Sequence, residues 1–318
     1  MKRRDFIKSA ITASATTMAL SSCSHVKHDH HSIKEKTWQS GNSPWPLCLD
    51  TATLSKDIPL ETKIELAAAA GFDAIEPWDK ELKAHEDQGK SLTDLAKKVK
   101  DLGMFVPSVI GVWGSLAPDK ETFNQERDIH KNRLRMISEI GASHAQIIPK
   151  FGRKEALNHY NAAWAYSEIC QMAKEYNLDP GIIFLNFVPG LEYLADAVHI
   201  ALLSGERKAQ VIPDTFHMFL TEDSPNSLYN LNPNMISIFQ FADAAKDLKP
   251  SKKAGLDKHR VLPGDGQIDL LSYLKPLKEI NYKGCISLEL YNPEYRKREP
   301  KAFLAEAIEK TRRVLAQV

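Results

Sequence analysis

Cysteine is scarce in this chain and never closely paired. The four residues, Cys23, Cys48, Cys170 and Cys285, are widely spaced and form no CxxC motif. That spacing excludes a zinc ribbon and gives no sign of a disulfide framework. Long apolar runs are missing too. The stretch from Ile11 to Leu20 is far shorter than the roughly 20 apolar residues that a spanning helix needs. Nor is there an excess of charge of one sign: 42 basic residues face 41 acidic ones, for a formal net charge of +1. So even a balance gives no reason to expect nucleic acid as a partner.

What is present begins at the N-terminus. Arg3-Arg4-Asp5-Phe6-Ile7-Lys8 reads as a twin-arginine export signal, and Leu20-Ser21-Ser22-Cys23 as a lipoprotein cleavage box. A basic start, a modest apolar stretch and small residues before a cysteine occur in the required order. The expectation is a periplasmic lipoprotein, exported by the twin-arginine route and anchored to the membrane through lipidated Cys23. Losing residues 1–22 removes Lys2, Arg3, Arg4 and Lys8 against Asp5, which leaves the body at a formal charge of −2. Residues 24–44 are polar and carry His25, His28, His30 and His31. A His-rich tract can bind metal, but a solvated linker between lipid and domain is the preferred reading.

From residue 45 to 318 one unit recurs: an apolar run, a polar loop, an amphipathic stretch, then glycine. Gly71, Gly103 and Gly141 stand where helices stop in the left-handed conformation. Pro59 and Pro300 suit first helical turns, and Ser91-Leu-Thr-Asp94 resembles a capping box. Strands are expected near 46–51, 72–76, 104–110, 144–149, 181–186, 209–213, 235–241 and 284–290. Eight strand–helix units in about 270 residues fit an α/β fold of the (β/α)₈ TIM-barrel type. A doubly wound open sheet would more often carry a Gly-rich phosphate loop after its first strand, and Leu49-Asp50-Thr51-Ala52 is nothing like one.

In such a barrel the chemistry sits where strands end. Strand five ends in Asn186, strand six in Asp214 with His217 three residues on, strand seven in Gln240 with Asp243 three residues on, and strand eight presents Glu289. Two carboxylates and neutral amide oxygens form a shell suited to a hard divalent cation, Mg²⁺ or Mn²⁺ ahead of Zn²⁺ or Co²⁺. Each residue taken singly is also an ordinary helix cap.

Six motifs in order carry a resemblance over essentially the whole body: Gly71-Phe-Asp-Ala-Ile-Glu76, Asn186-Phe-Val-Pro189, Asp214-Thr-Phe-His217, Gln240-Phe-Ala-Asp243, His259-Arg-Val-Leu-Pro-Gly-Asp-Gly266 and Ser287-Leu-Glu289. The chain resembles the sugar phosphate isomerase/epimerase family with the xylose-isomerase-like barrel. The resemblance implies a divalent metal held at Asp214, Gln240 and Glu289, with His217 and Arg260 beside the substrate. It also exposes a departure, because the family usually has Glu where this chain has Asn186. That Glu is a metal ligand and one of two opposed bases, and Asn cannot take a proton.

The leading expectation is therefore an isomerase or epimerase that removes a proton next to a carbonyl of a keto or aldo sugar. Glu289 is the expected base and His217 the next candidate. Arg260, Lys150, Glu76 and Trp113 are expected on the substrate, and Asn186, Asp214, Gln240 and Glu289 on the metal. A lyase that eliminates a group from a keto-sugar or keto-glycoside is the close alternative, favoured by the change at Asn186. A noncatalytic sugar-binding lipoprotein is the second. The partner is a small-molecule carbohydrate, and self-association into a homo-oligomer is left open.

Overall fold

The structure, a computed structural model, describes residues 43–152 and 154–318. The export signal, the cleavage box with Cys23 and the His-rich tract lie outside the described residues. Among the described residues, no helix is long and apolar enough to cross a membrane.

The chain runs β1 (Leu47–Asp50), α1 (Leu60–Ala70), β2 (Ala74–Glu76), α2 (Asp79–Asp87), α3 (Leu92–Asp101), β3 (Ser108–Trp113), α4 (Lys120–Glu139), β4 (His144–Ile148), α5 (His159–Lys174) and β5 (Asp179–Ile183). It continues through α6 (Leu194–Leu203), β6 (Gln210–Ile212), α7 (Thr215–Thr221), β7 (Phe239–Phe241), β8 (Asp243–Ala244), β9 (Arg260–Val261), α8 (Leu270–Glu279), β10 (Ile286–Leu288), α9 (Pro293–Arg296) and α10 (Pro300–Leu315). Parallel ladders join β2-β1-β10-β7 and β3-β4-β5-β6. Isolated parallel bridges close both seams: Ala74 to Phe105 and Trp78 to Ile110 between β2 and β3, Val211 to Ile236 and Asp214 to Gln240 between β6 and β7. The result is the expected eight-stranded parallel barrel ringed by helices.

The strand sequences explain the closure. β1, β2, β6, β7 and β10 are buried at every position, as strands covered on both faces must be. Gly71 ends α1 at φ 91°, and Ser91 caps α3 by accepting the Asp94 amide, both as the sequence implies. β3 starts later than expected because Pro107 has no amide to give the ladder. Below the barrel Trp45, 1 % exposed, donates its indole N–H to the Tyr282 carbonyl at 2.9 Å and plugs the end opposite the loops.

A candidate active site built around Arg260

Five late elements converge. Asp214 follows β6 and caps α7: its Oδ1 accepts the amides of Phe216 at 2.7 Å and His217 at 3.2 Å, so the helix start fixes both carboxylate and imidazole. Gln240 sits within β7, Glu289 just past β10, and Asn186 in the loop after β5. Arg260 opens β9, which pairs antiparallel with β8. Asp243 holds that hairpin. Its carboxylate accepts the amides of Ala244, Gly264, Gly266 and Ile268 at 2.8–3.1 Å, so this acid clamps a turn rather than facing a ligand. Gly266 is required there, since a Cβ would stand 2.2 Å from the Ala244 carbonyl oxygen.

The clamp delivers a fully buried arginine. Arg260 donates from both terminal nitrogens to Asp214, at 3.2 Å to Oδ1 and 2.7 Å to Oδ2. Its Nε donates to Asp257 at 3.2 Å, and Nη1 lies 3.3 Å from Glu289 Oε2. Burial works against its charge, but the three carboxylates keep Arg260 protonated well beyond its ordinary range. Burial alone would raise the Asp214 carboxyl, yet the Arg260 charge, with His217 and the hydrogen bonds, holds it below the usual range. At Glu289 the balance reverses. Burial pushes its carboxyl well up despite Arg260, helped by the charges of Asp50, Asp214 and Glu76.

Glu289 is therefore poised to hold a proton. Its Oε1 accepts from Gln240 Nε2 at 3.1 Å and from the Tyr291 hydroxyl at 2.8 Å. Asp50, at the end of β1, accepts the Ala52 amide and the Trp78 indole N–H through Oδ1, and burial raises its carboxyl too.

His217 is the complementary group. Asn186 donates both amide hydrogens to loop carbonyls, Ser251 at 2.9 Å and Lys253 at 3.1 Å, which turns its oxygen toward His217 Nδ1 at 2.9 Å. An amide oxygen only accepts, so this geometry assigns the ring proton to Nδ1 and leaves the Nε2 lone pair free. Burial, outweighing the pull of Asp214 and Asp257, lowers the His217 pKa. Near neutral pH the ring is an uncharged base. Burial thus moves the two groups in opposite directions, His217 toward the neutral ring and Glu289 toward the protonated acid.

These groups floor a cavity of about 340 Å³. Glu289, Arg260, His217, Asp257 and Lys258 form its polar pole. Facing them is an arc of aromatic rings in sequential contact: Tyr291 to Trp78 at 5.9 Å between centroids, Trp78 to Trp113 at 5.4 Å, Trp113 to Phe151 at 5.5 Å and Phe151 to Phe187 at 5.3 Å. Trp113 is held by Asp79, which accepts its indole N–H at 3.0 Å. Asp79 comes that close because β3 has Gly111, where a Cβ would meet Asp79 Cβ at 2.5 Å.

Of the expected substrate contacts, Arg260 and Trp113 line the cavity, while two others stand elsewhere. Lys150 is exposed in a neighbouring groove beside Glu126 and Arg133. Glu76 is sealed inside the barrel, accepting from Gln146 and from Ser287 Oγ, the latter at 2.7 Å. Burial and the nearby Asp50 push its carboxyl up to about 8. Asp50 itself went unread as a site residue, although its place at a strand end was the available signal. Gln146, within β4, and Tyr291, two residues past Glu289, gave less: neither ends a strand.

The expected metal ligands can be tested against their bonds. Asp214 is forked by Arg260, Glu289 is engaged by Gln240, Tyr291 and Arg260, and the Asn186 oxygen faces His217. Of these four, Gln240 alone keeps a buried acceptor without a partner, its Oε1; Asp50 Oδ2 is a further buried acceptor without one. Among the described residues no group of three or more His, Cys, Asp or Glu is placed to hold a metal ion. In this arrangement the four do not form a cation shell.

Comparison with known proteins agrees with the barrel. The chain is 23 % identical to an inosose isomerase of Bacillus velezensis over 278 residues, 85 % of this chain and 97 % of the relative. It is 22 % identical to a 3-dehydroshikimate dehydratase of Pseudomonas aeruginosa, covering 77 % of this chain but 38 % of that longer protein. A crystal structure of the IOLI protein with a bound zinc atom superposes at a TM-score of 0.77, with 22 % identity, over 86 % of this chain and 98 % of that one. A family model described as xylose isomerase-like TIM barrel matches residues 64–314, and the chain belongs to that family.

Proposed function

We propose that this protein is a carbohydrate isomerase or epimerase that moves a proton at a carbon next to a carbonyl. The observation that carries the reading is the pair of oppositely tuned groups, His217 with a free Nε2 and Glu289 with a carboxyl pushed up by burial, beside Arg260 at the floor of an aromatic-lined cavity. The isomerase and dehydratase activities of the relatives belong to the same broad chemistry.

The arc of rings suits the apolar face of a sugar, and the polar pole its oxygens. The Arg260 guanidinium, whose N–H groups are held by Asp214, Asp257 and Glu289, sets its positive charge at the cavity wall near the carbonyl oxygen. His217 Nε2 takes the proton from the adjacent carbon, the C–H electron pair forms the C=C bond, and the carbonyl oxygen takes the proton of Glu289. Returning the proton from His217 to the neighbouring carbon, while the hydroxyl on the first carbon gives its proton back to Glu289 and becomes the new carbonyl, completes an isomerisation. Inversion at one carbon needs a proton delivered to the opposite face of that carbon instead.

Elimination is the second reading, favoured by the finding that one group is a base and the other an acid. His217 would take the proton, and Glu289 would protonate the departing oxygen as its C–O bond breaks. Incubation with ketoses, aldoses and keto-glycosides in D₂O, followed by NMR, separates the two. Deuterium in recovered or isomerised sugar supports proton transfer, and release of water or alcohol supports the lyase. In either case His217→Gln is expected to lower the rate by about 10²–10⁴-fold. Sugar binding with neither exchange nor elimination would sink the enzymatic reading and leave a noncatalytic binding protein.

We also propose that it works outside the inner membrane, where free rather than phosphorylated sugars are the available substrates. The support is the Arg3-Arg4 signal and the Cys23 box. Mass spectrometry of the mature protein is expected to find acylated Cys23 as its first residue; an intact Met1 in the soluble fraction would refute export.

A further inference from the structure

We infer that Arg260 takes the place of the divalent cation at the hub of this barrel, so that the site is centred on a guanidinium rather than on a metal ion. The acid–base reading above says what such a charge is for, but the inference stands on the bonding of the four residues that the family pattern assigns to the ion.

Both oxygens of Asp214 are bound by one planar fork, the geometry in which arginine pairs best with a carboxylate. Glu289, the second anionic position, faces the same guanidinium. The third position is Asn186, which brings no charge and whose oxygen is spent on His217. The fourth is Gln240, whose nitrogen end is turned to Glu289. A divalent ion among these groups would meet one unengaged oxygen and a fixed positive charge. A neutral residue at 186 lowers the negative charge of the site and the buried guanidinium offsets part of what remains, so both weaken its hold on a divalent ion.

Arg260 is also held in place from several sides. Its ring-like head lies 4.6 Å from the centroid of Phe216 and 5.7 Å from that of Tyr291. Its carbonyl accepts from Asn292 at 3.1 Å, its backbone pairs with Ala244, and Asp243 clamps the turn behind it. The side chain is 0 % exposed and still lines the cavity. An arginine that merely visits a substrate would not be bolted to the barrel by its backbone, its head and three carboxylates. Its positive charge at the cavity wall can stabilise an oxyanion as it forms, which is the electrostatic task of a cation in this chemistry.

The test is metal content and calorimetric titration with MnCl₂ and ZnCl₂ on the full chain, purified without a His tag. The wild type is expected to hold well below one equivalent of any Asp214-dependent ion, and its melting temperature to be unmoved by EDTA. Asn186→Glu combined with Arg260→Gln is expected to bind close to one equivalent of Mn²⁺ or Zn²⁺, lost again when Asp214→Asn is added. An ion in the wild type that survives dialysis and disappears in Asp214→Asn overturns the inference. So does a double variant that melts cooperatively yet binds nothing, because the arginine would then not be what excludes the ion. Should the double variant not fold, the wild-type titration and melt decide alone. Zinc on the His25–His31 tract is indifferent to Asp214 and counts as absence from the site. No readout here depends on turnover: a chain without ion or exchange keeps this inference and loses the reaction.

Discussion

On the late side of the barrel Asp214 is buried to 0 % exposure against Arg260, and its carboxyl stays below the usual range. On the early side Asp50 and Glu76 are buried to the same degree among other carboxyls, and burial drives both upward, Glu76 to about 8. Residue type, depth and strand-end placement are shared, so depth does not decide ionisation here. What sets Asp214 apart is the bidentate grip of Arg260, which Asp50 and Glu76 lack and which Glu289 has only from one side.

The harshest way to break that contrast is to remove its cause. Arg260→Met keeps much of the side-chain bulk but leaves Asp214 an uncompensated buried anion. Breaking a buried pair in this way costs about 3–5 kcal/mol. Urea unfolding should show a loss of that order, and Asp214→Asn in the same chain should restore part of it by removing the orphaned charge. A loss within the range of a surface change, about 0.5 kcal/mol, would mean that Arg260 does not set the electrostatics of the late half.

Glu76→Gln sharpens the comparison from the other side. The folded chain holds a proton on Glu76 up to about pH 8, whereas the unfolded chain releases it near the ordinary glutamate value. Between those limits the native state binds the extra proton. Its stability therefore falls as pH rises, by up to about 1.4 kcal/mol per pH unit, and the contribution is exhausted above the folded value. Glutamine removes that dependence. The variant should gain on the wild type as pH climbs from about 5 to 8, then keep a constant lead. Parallel denaturation curves across the window would place Glu76 in the ionised state and erase the contrast with Asp214.

How much of this could be read from the chain follows the same line. Strand–helix alternation and glycine stops delivered the barrel because burial on both faces leaves long-lived patterns in sequence. The β8–β9 hairpin left no such trace: two-residue strands have no period, and what holds them is side-chain bonding such as the clamp around Asp243. Asn186, Asp214, Gln240 and Glu289 were legible as a strand-end set. Their bonds were not, since the Arg260 fork reaches across 46 residues to Asp214. Strand-end placement also cannot say whether a side chain points into the cavity or beneath it. That is why Glu76 was expected on the substrate and is found sealed under Gln146, while Asp50 was passed over as a failed phosphate loop.

The smallest perturbation bears on His217, where the two halves' rules meet in one ring. Asn186 keeps the imidazole neutral by offering an uncharged oxygen to Nδ1–H, and burial does the rest. Asn186→Asp leaves an oxygen in nearly the same place but adds a negative charge, which favours imidazolium. The His217 pKa should rise by about one unit, read by NMR titration of the ring without any substrate. Part of that rise is offset because Asp cannot donate to the Ser251 and Lys253 carbonyls, and loosening that loop lets water in. Asn186→Ala separates the two effects: it loosens the loop without adding charge. A rise in the Asp variant alone would identify neutrality at position 186 as what keeps His217 a base, so that the residue departing most from the family pattern is the one that sets the ring's proton.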